Sequence, residues 1–591
     1  MRPVRPRGRC GRRSCRGRDA GPSRRRHHGR RAPVDHPGPR DAFRALAGRR
    51  GRPGDRLIEA LAGARSHTPD RPGAWAPEVA RGLGLPAASG LGPAGYYADL
   101  AAPRGRRHVR VCTAAACFCA RGGRPPSDVE EALGVVVDSV SADGGTSAQG
   151  VRCLGYCYAG PAALDGDAAR TGPTLAAQLS GREPPRAPDV PAADGTGDPV
   201  LLSGPVAGEP AWRVWPAAVA AGAPEDVRRE VAVSGLRGRG GAGYPVAAKW
   251  EAAGGAPGTV VVANGDEGDP GSYADRLLME SAAGRVLEGL ALACFACGAR
   301  RGVVLVRSEY PRALARMRDA VERAYADGHF GRSVHGTGTD LEVRVVEGAG
   351  SYVAGEETAL IARLEGGRGC ARPRPPYPAR RGLWDAPTVV NNVETLAAVP
   401  WIVSRGGAAY AARGVPGETG TKLVCLSERF ARPGAYEVEL GTPVRRIVEE
   451  LGGGLKGGAE AAVVQVGGPL GGFLGPDDLD VPLTAAALDA HGAALGHGGL
   501  VAFDRSVAPA DAMRHVWEFA AAESCGACSP CRVGSRTGLE WALAGAPPDG
   551  AWERLSRVLA EASLCAFGRR VPAAVRSLAR AYGEPLAGWS R

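Results

Sequence analysis

Three cysteines within seven residues, Cys525, Cys528 and Cys531, lie in Glu523-Ser-Cys-Gly-Ala-Cys-Ser-Pro-Cys-Arg532, and Cys565 follows in Ser563-Leu-Cys-Ala-Phe-Gly568. A C-x-x-C-x-x-C loop can wrap three corners of a cuboidal cluster, and a fourth thiol from a later segment closes the set, so a [4Fe-4S] site is expected. A structural zinc site is the alternative. Zinc sites usually pair two C-x-x-C knuckles, whereas here three thiols crowd one loop. The spacing favours iron and therefore an electron carrier.

A second set lies far upstream, with Cys112 and Cys117 at C-x4-C spacing and Cys153 and Cys157 at C-x3-C. Four such thiolates suit a [2Fe-2S] cluster. His108 to Val111 alternates like a strand, and Glu131-Ala-Leu-Gly-Val-Val-Val137 reads as a helix end running into another apolar strand, which puts both pairs on loops at strand ends. Cys119 is either an alternative ligand or a spare thiol.

The middle of the chain carries motifs of another kind. Gly238-Arg-Gly-Gly-Ala-Gly243 matches G-x-G-x-x-G, but a dinucleotide fingerprint needs a strand before it and a helix directly after. Here Asp226 to Val233 is helical in pattern and Pro245 follows two residues after Gly243. Gly238, Gly240, Gly241 and Gly243 still let backbone N–H groups approach a phosphate or a flat ring. Lys249 follows this loop, in a chain whose 74 basic residues include lysine only at 249, 422 and 456. Asn264-Gly-Asp-Glu-Gly-Asp-Pro-Gly271 comes directly after an apolar strand, and Gly350-Ser-Tyr-Val-Ala-Gly-Glu-Glu-Thr358 comes directly before an apolar helix. Both put acids where ribose or amide groups can be hydrogen-bonded, and the helix start at Thr358 is placed to receive a phosphate. Taken singly, each motif reads equally well as solvated loop acids and helix caps; their combination with the glycine loop, the lone lysine and two cysteine sets argues for a nucleotide site.

These motifs need several domains to hold them, and 591 residues supply enough chain. No run of about eighteen apolar residues occurs, so no transmembrane helix is expected. Eight of the fifteen cysteines fall into the two cluster-type sets and no secretory h-region precedes them, which points to a reducing cytoplasm rather than a disulfide framework. The net charge of +12 comes from residues 1–55, where eighteen Arg face four Asp, and the remainder sums to −2. That head, rich in Arg, Gly and Pro, reads as a disordered basic extension, with binding of nucleic acid or an acidic partner as its alternative role.

Residues 56 to about 100 carry short helical patterns, and 106–180 read as strand, helix and strand around the upstream cysteines. Residues 181–208 form a linker rich in Pro, Asp and Gly. From 209 to 410 strands and helices alternate, with apolar strands at Thr259-Val-Val-Val-Ala, Gly302-Val-Val-Leu-Val and Leu341-Glu-Val-Arg-Val-Val. Residues 420–505 hold short strands split by Gly and Pro. From 508 to 591 helices dominate, with Met513, Val516, Trp517 and Ala520 on one face.

Together, Ser234-Gly-Leu-Arg-Gly-Arg-Gly-Gly-Ala-Gly-Tyr-Pro245, Asn264-Gly-Asp-Glu-Gly-Asp-Pro-Gly271, Gly355-Glu-Glu-Thr-Ala-Leu360, Pro375-Pro-Tyr-Pro378, Asn391-Asn-Val-Glu-Thr395 and the Glu523 cysteine loop resemble the NADH-oxidising flavoprotein subunit of respiratory complex I and its relatives in formate dehydrogenases and NAD-reducing hydrogenases. Residues 56–180 similarly resemble the thioredoxin-like [2Fe-2S] subunit that partners this flavoprotein. Their fusion in one chain resembles the diaphorase subunits of hydrogenases and formate dehydrogenases, and Asp269, where complex I members commonly carry Glu, leans the same way.

The resemblance implies a multidomain α/β fold: a helical plus thioredoxin-like N-terminal domain, a Rossmann-like α/β FMN/NADH domain, a small β-grasp-like domain and a C-terminal helical bundle holding the [4Fe-4S] cluster. It implies FMN held by Gly238, Gly240, Lys249, Asn264, Asp266, Gly355, Glu356, Asn391, Asn392 and Thr395, with Gly241, Gly243 and Glu267 completing the cofactor loops. Tyr244, Tyr352 and Tyr377 are the implied aromatic contacts to NAD(H), and Glu357 and Asp269 the polar ones. Lys249 and Glu357 are the catalytic candidates, and Cys119 stands outside the implied ligand set. Val246-Ala247 replaces a Thr-Gly pair common in the family, Ala252 falls where many relatives carry an aromatic, and Cys370 and Arg374 also depart from the usual residues. The implied activity is hydride transfer between NADH and FMN, then single electrons through the clusters. The implied partners are a formate dehydrogenase α-type subunit, a hydrogenase subunit or a complex I-type iron–sulfur subunit, in the cytoplasm or peripheral to the membrane through them. A complex I-type input module is the nearer alternative; a non-catalytic scaffold or nucleic-acid-binding protein is the distant one.

Overall fold

The computed structural model describes residues 54–66, 68, 70–193, 195–203 and 211–590. The basic head up to residue 53 lies outside them. Gly54 and Asp55, which the sequence pattern assigns to that head, instead open the first helix, Gly54–Arg65, where the Asp55 carboxylate accepts the indole N–H of Trp384 at 2.7 Å. Helices Pro72–Gly82 and Ala87–Ala94 complete a small apolar layer built on Leu57, Ile58, Leu61, Ala76 and Ala80.

Five strands follow: β1 (Arg107–Cys112), β2 (Ser139–Val140), β3 (Thr146–Val151), β4 (Ala162–Asp165) and β5 (Ala168–Thr171). They form a mixed sheet in the order β2-β3-β1-β4-β5, with β1 and β3 parallel. The valine run at 135–137 is not the expected strand. Gly134 ends helix Ser127–Leu133 in the left-handed conformation, Val136 is exposed, and pairing starts only at Ser139. An apolar run alone does not fix a strand when a glycine C-cap turns the chain before a partner edge is reached.

The segment read as a linker carries β6 (Ala192–Ala193) and is strapped down beyond it. The Glu437 carboxylate accepts the N–H groups of Val200, Leu201 and Leu202 at 2.8–3.0 Å.

Strands β7 (Val260–Gly265), β8 (Arg301–Val306), β9 (Glu342–Glu347) and β10 (Thr388–Asn392) make an all-parallel sheet in the order β10-β7-β8-β9. Its strands are rich in Val because both faces are covered. Successive residues alternate between them. Val260 and Val262 pack with Leu360, Ile361 and Leu364 of helix Glu357–Leu364. Val261 and Ala263 face Leu287, Leu290 and Leu396 of helices Ala283–Ala296 and Val393–Arg405. The chain runs outward from β7 to β8 and β9, then returns to the other side of β7 as β10. The order therefore reverses between β7 and β10, which is where ligands bind in open parallel sheets, outside the carboxyl ends of the strands.

After a hairpin of β11 (Gly414–Val415) and β12 (Glu418–Thr419), strands β13 (Thr421–Leu426), β14 (Gly434–Glu439), β15 (Ala461–Val466), β16 (Gly472–Leu474) and β17 (Gly499–Asp504) form a mixed sheet, β16-β15-β17-β13-β14, to whose edge β6 adds in parallel. Four helices close the chain: Pro509–Glu523, Ser529–Ala544, Ala551–Ala562 and Ala566–Tyr582. Their core is a cluster of Trp517, Trp552 and Trp589 with ring centroids 5.5–6.0 Å apart. Among the described residues no helix is long and apolar enough to cross a membrane.

Candidate redox-cofactor site

Asn264, next to the last residue of β7, pairs directly opposite Asn392 at the end of β10, so two of the motifs found in sequence converge on the reversal point of the sheet. Asn264 donates from Nδ2 to the Gly355 carbonyl at 2.9 Å and accepts the Asp266 N–H, which brings the Asn264 and Gly350 loops together. The glycine loop closes over the same crevice. Gly238 N–H bonds the Tyr244 carbonyl at 2.9 Å, and Arg239 N–H bonds Thr395 Oγ1 at 2.9 Å. A Cβ on Gly240 would stand 2.8 Å from Asn392 Cβ, so only glycine lets this backbone lie on the floor of the crevice. Gly241 and Gly243 take positive φ within the same turn. The loop connects two helices, Pro224–Ser234 and Val246–Ala253, and is therefore not a strand-to-helix fingerprint.

Lys249 reaches in from the second of these helices, donating to Glu357 Oε2 at 3.1 Å and to the Val390 carbonyl at 3.0 Å. Arg374 donates to the other oxygen of Glu357 at 2.7 Å and pairs with Glu356 at 3.1 Å. Two cations thus face two carboxylates at the mouth, and sequence reasoning singled out Arg374 only as a departure. Tyr244 and Tyr377 are more than half exposed there, at 53% and 59%, and Lys249 Nζ lies 5.9 Å from the Tyr244 ring.

The helix start at Thr358 does not present a free anion site. Glu356 caps it, accepting the N–H groups of Thr358 and Ala359 at 3.0–3.1 Å, so the donors that a phosphate would use are already engaged. Glu267 is also spent internally. It is fully buried and accepts from Ser272 Oγ and from the N–H groups of Asp275 and Arg276, capping helix Ala274–Ser281. Asn391 accepts the Trp250 indole N–H at 2.9 Å. Asn392 donates to Asp275 at 2.6 Å and caps the next helix through Thr395 N–H. Asn391, Asn392 and Thr395 are therefore the floor that fixes the crevice.

Deeper in, Tyr352 donates its phenol hydrogen to Asp269, and His497 approaches Asp269 at 3.9 Å and Asp275 at 3.8 Å. Burial pushes Asp269 up to about 6 and Asp266 up to about 7, while burial with Lys422 and Arg307 nearby pulls His497 down to about 3. His497 comes from the β17 side of the neighbouring sheet, and nothing in its local sequence marks it.

The upstream cysteines meet as expected from their spacing. Cys112 ends β1, Cys117 sits in helix Ala115–Ala120, and Cys153 and Cys157 occupy the turn after β3, all at most 2% exposed. Their thiols form one contact chain, with Cys153 and Cys157 Sγ 3.5 Å apart. Contact with Cys112 and burial push the Cys153 thiol up to about 12. Cys119 turns away toward Arg429, Glu428 and Asp504. Two buried arginines clamp the turn onto the parallel-sheet layer: Arg307 donates to the Cys153 carbonyl at 3.0 Å and Arg276 to the Gly155 carbonyl at 2.9 Å, the latter stacked 3.7 Å over the Tyr156 ring. Sequence reasoning missed both.

The downstream cysteines Cys525, Cys528, Cys531 and Cys565 line one pocket with Val353, Ala371, Leu564 and Phe567. Cys528 and Cys565 are the N-caps of two long helices, Ser529–Ala544 and Ala566–Tyr582. Both helix dipoles present their positive ends to the pocket, which suits a cluster carrying net negative charge. Leu564 N–H points at Cys528 Sγ at 3.5 Å, a bond that a thiolate ligand would strengthen.

Residues 231–401 match the family described as Nuo51 FMN-binding domain, residues 44–171 the thioredoxin-like [2Fe-2S] ferredoxin family, and residues 511–587 the NADH-ubiquinone oxidoreductase-F iron-sulfur binding region. The NADP-reducing hydrogenase subunit HndC of Solidesulfovibrio fructosivorans is 38% identical over 357 residues, 59% of this chain and 73% of that protein. The NADH-quinone oxidoreductase F subunit of Aquifex aeolicus is 37% identical over 368 residues, 61% of this chain and 85% of that one. Among solved structures, a chain of the air-oxidised NAD+-reducing [NiFe]-hydrogenase superposes with a TM-score of 0.78 at 30% identity, over 92% of this chain and 94% of the other.

Proposed function

The chain belongs to the family of the NADH-quinone oxidoreductase F subunits and the hydrogenase subunits related to them, and from that premise we propose that it is the NADH-oxidising diaphorase subunit of a hydrogenase-type assembly. One observation carries the choice of assembly. The likeness to the NAD+-reducing hydrogenase runs through nearly all of both chains, so the thioredoxin-like and flavin regions are joined in one polypeptide in each. Formate dehydrogenase and complex I-type partners are the readings this choice sets aside.

FMN, when bound, supplies the exchange between the two electrons of a hydride and the single electrons that iron–sulfur centres carry. The residues around the crevice do the rest. Gly238 to Gly243 offer backbone N–H groups beside the ring or phosphate, and Lys249 contributes a fixed positive charge oriented by Glu357 and Val390. Asn264 and Asp266 hold the inner edge. Tyr244 and Tyr377, exposed at the mouth, stack on the dinucleotide, and Glu357 offers it a polar contact. Tyr352 and Asp269 close the deep end to water. Cys112, Cys117, Cys153 and Cys157 hold the two-iron centre, and Cys525, Cys528, Cys531 and Cys565 the four-iron centre, with Cys119 in neither. Among the described residues no cysteine is paired in a disulfide, which leaves both sets open to iron.

An anaerobic ultraviolet–visible spectrum with and without NADH, with iron and flavin analysis, tests the subunit reading. Bleaching of the flavin band with about six irons per chain is expected from one [2Fe-2S] and one [4Fe-4S] cluster. A colourless chain holding zinc overturns it. For the partner, the assembly purified from its own cells is given NAD+ with either hydrogen or formate. Reduction by hydrogen alone supports the hydrogenase assignment, and reduction by formate alone refutes it.

A further inference from the structure

Three arginines donate to backbone carbonyls of the upstream cysteine loops, and one of them has no counter-charge. Arg276 and Arg307, which hold the Cys153–Cys157 turn, pair with Glu280 and Glu309 respectively, each at 2.8 Å. Among the described residues Arg121 forms no ion pair. It caps the C-terminus of helix Ala115–Ala120, is 9% exposed, and turns Nη1 back to the Cys112 carbonyl at 3.2 Å and to the Cys117 carbonyl at 3.5 Å. Its Nε and Nη2 are buried and donate to nothing, and among the described residues it is the only side chain with two such nitrogens. Helix capping accounts for the bond to Cys117 but not for the rest. A guanidinium keeps its charge throughout the protein pH range, and a buried charge without a partner is strongly destabilising. A water molecule satisfies a hydrogen bond but not that charge.

An iron–sulfur centre in the same cysteine set is such a partner. With its four thiolates it is an anion that becomes more negative on reduction. Arg121 is tied to the peptide groups of two of the four ligand residues, so its charge stands beside that anion in a buried setting where attraction is little screened. The attraction grows when the cluster takes up an electron, which favours the reduced state. We propose that Arg121 is a non-ligating positioning residue that supplies the counter-charge of the two-iron centre and raises its reduction potential, an assignment that rests on Cys112, Cys117, Cys153 and Cys157 holding a [2Fe-2S] cluster.

The test is a redox titration of the two-iron electron paramagnetic resonance signal in wild-type, Arg121→Gln and Arg121→Lys chains, each with its iron content measured. Arg121→Gln keeps an N–H donor and loses the charge. Its reduction is expected to be about tenfold less favourable, a midpoint about 59 mV more negative for one electron. Arg121→Lys keeps the charge and is expected to stay nearer to wild type than to Arg121→Gln. An unchanged midpoint in an iron-loaded Arg121→Gln chain, or shifts of equal size in the two variants, overturns the proposal while leaving the cluster assignment intact, whereas a wild-type chain with no two-iron signal overturns the assignment itself. Where Arg121→Gln fails to load iron, thermal unfolding of the iron-free chains decides. Relief of an unpaired charge lets iron-free Arg121→Gln unfold at or above the wild-type temperature, which supports the proposal. Unfolding below it marks a capping role alone and overturns the proposal.

Discussion

Tyr352 donates its phenolic hydrogen to the Asp269 carboxylate, while its own backbone N–H bonds Glu523 Oε2 at 2.9 Å, two residues before Cys525. One residue therefore ties the floor of the nucleotide crevice to the loop of the downstream cysteines. Its ring packs on Phe519 and Phe567 at 5.1 and 5.6 Å, and the next residue, Val353, lines the cysteine pocket. Tyr352→Phe keeps this packing and removes the side-chain donor that supports the buried Asp269 charge. A loss of roughly 1–3 kcal/mol is expected, the usual cost of leaving a buried acceptor unpaired. Thermal unfolding with full cofactor content measures it, and an unchanged midpoint would show that Asp269 is already protonated in the folded chain.

The buried acids give the chain a specific pH dependence. Asp269 and Asp266 are raised by burial to about 6 and about 7, so the folded chain binds their protons more tightly than the unfolded chain does. Their contribution is fully present below pH 3.8, the ordinary aspartate value, and is lost as pH rises through about 6 and then about 7. His497, lowered to about 3, works in the opposite sense, its contribution being lost as pH falls below 6.5. The comparison is therefore made by difference. Relative to wild type, Asp269→Asn is expected to gain up to about 3 kcal/mol in unfolding free energy between pH 4 and pH 8. Parallel stability curves for the two chains across that range would contradict the raised value.

Most of the site residues were legible in the sequence because their backbone tasks leave marks: cysteine spacing, glycines at a close approach, acids directly after an apolar strand. The parallel sheet was legible for the same reason, since Val260 to Ala263 must be apolar on both faces. Direction was harder to read. Glu267 and Glu356 stand in motifs that suggest ligand contacts, yet both cap helices, because a carboxylate beside a helix start satisfies orphan N–H groups whether or not a ligand is near. His497, Arg276 and Arg307 were invisible, since each reaches the site from a segment far away in sequence. Val135 to Val137 misled because apolarity was read as pairing, which only a neighbouring strand edge can provide.

Lys249 is the one lysine at the crevice, held by Glu357 and the Val390 carbonyl. Lys249→Ala removes a fixed positive charge, and a charged hydrogen bond is worth about 1.5–3 kcal/mol, so flavin retention is expected to weaken roughly 10- to 100-fold. Flavin release followed by fluorescence reads this directly. Equal flavin affinity together with equal NADH oxidation would remove Lys249 from the site.

Gly155 sits inside the turn between Cys153 and Cys157 with φ of +71°, and a Cβ there would lie 2.5 Å from the Tyr310 ring. Gly155→Ala meets both a left-handed backbone and an overlap with a buried aromatic, at a combined cost of roughly 2–4 kcal/mol. The arginine clamps on either side keep the turn from moving away. The expected result is a lower unfolding midpoint and a changed or missing two-iron resonance, with the four-iron signal retained. An unaltered two-iron spectrum would mean that the turn relaxes without disturbing its thiols.

Cys119 separates spacing from geometry, because by sequence it competes with Cys117, while in the fold it faces Arg429 and Asp504 rather than the other thiols. Cys119→Ser is therefore expected to keep about six irons per chain, and Cys112→Ser to fall to about four, the two-iron cluster having lost a ligand while the distant four-iron cluster stays. Cys119→Ser leaves a hydroxyl in a fully buried place, so some stability is lost even though iron is kept. Iron analysis with the two-iron resonance decides the matter. Loss of that resonance in Cys119→Ser, with Cys117→Ser unaffected, would reverse the ligand assignment and require the helix Ala115–Ala120 to rotate when iron binds.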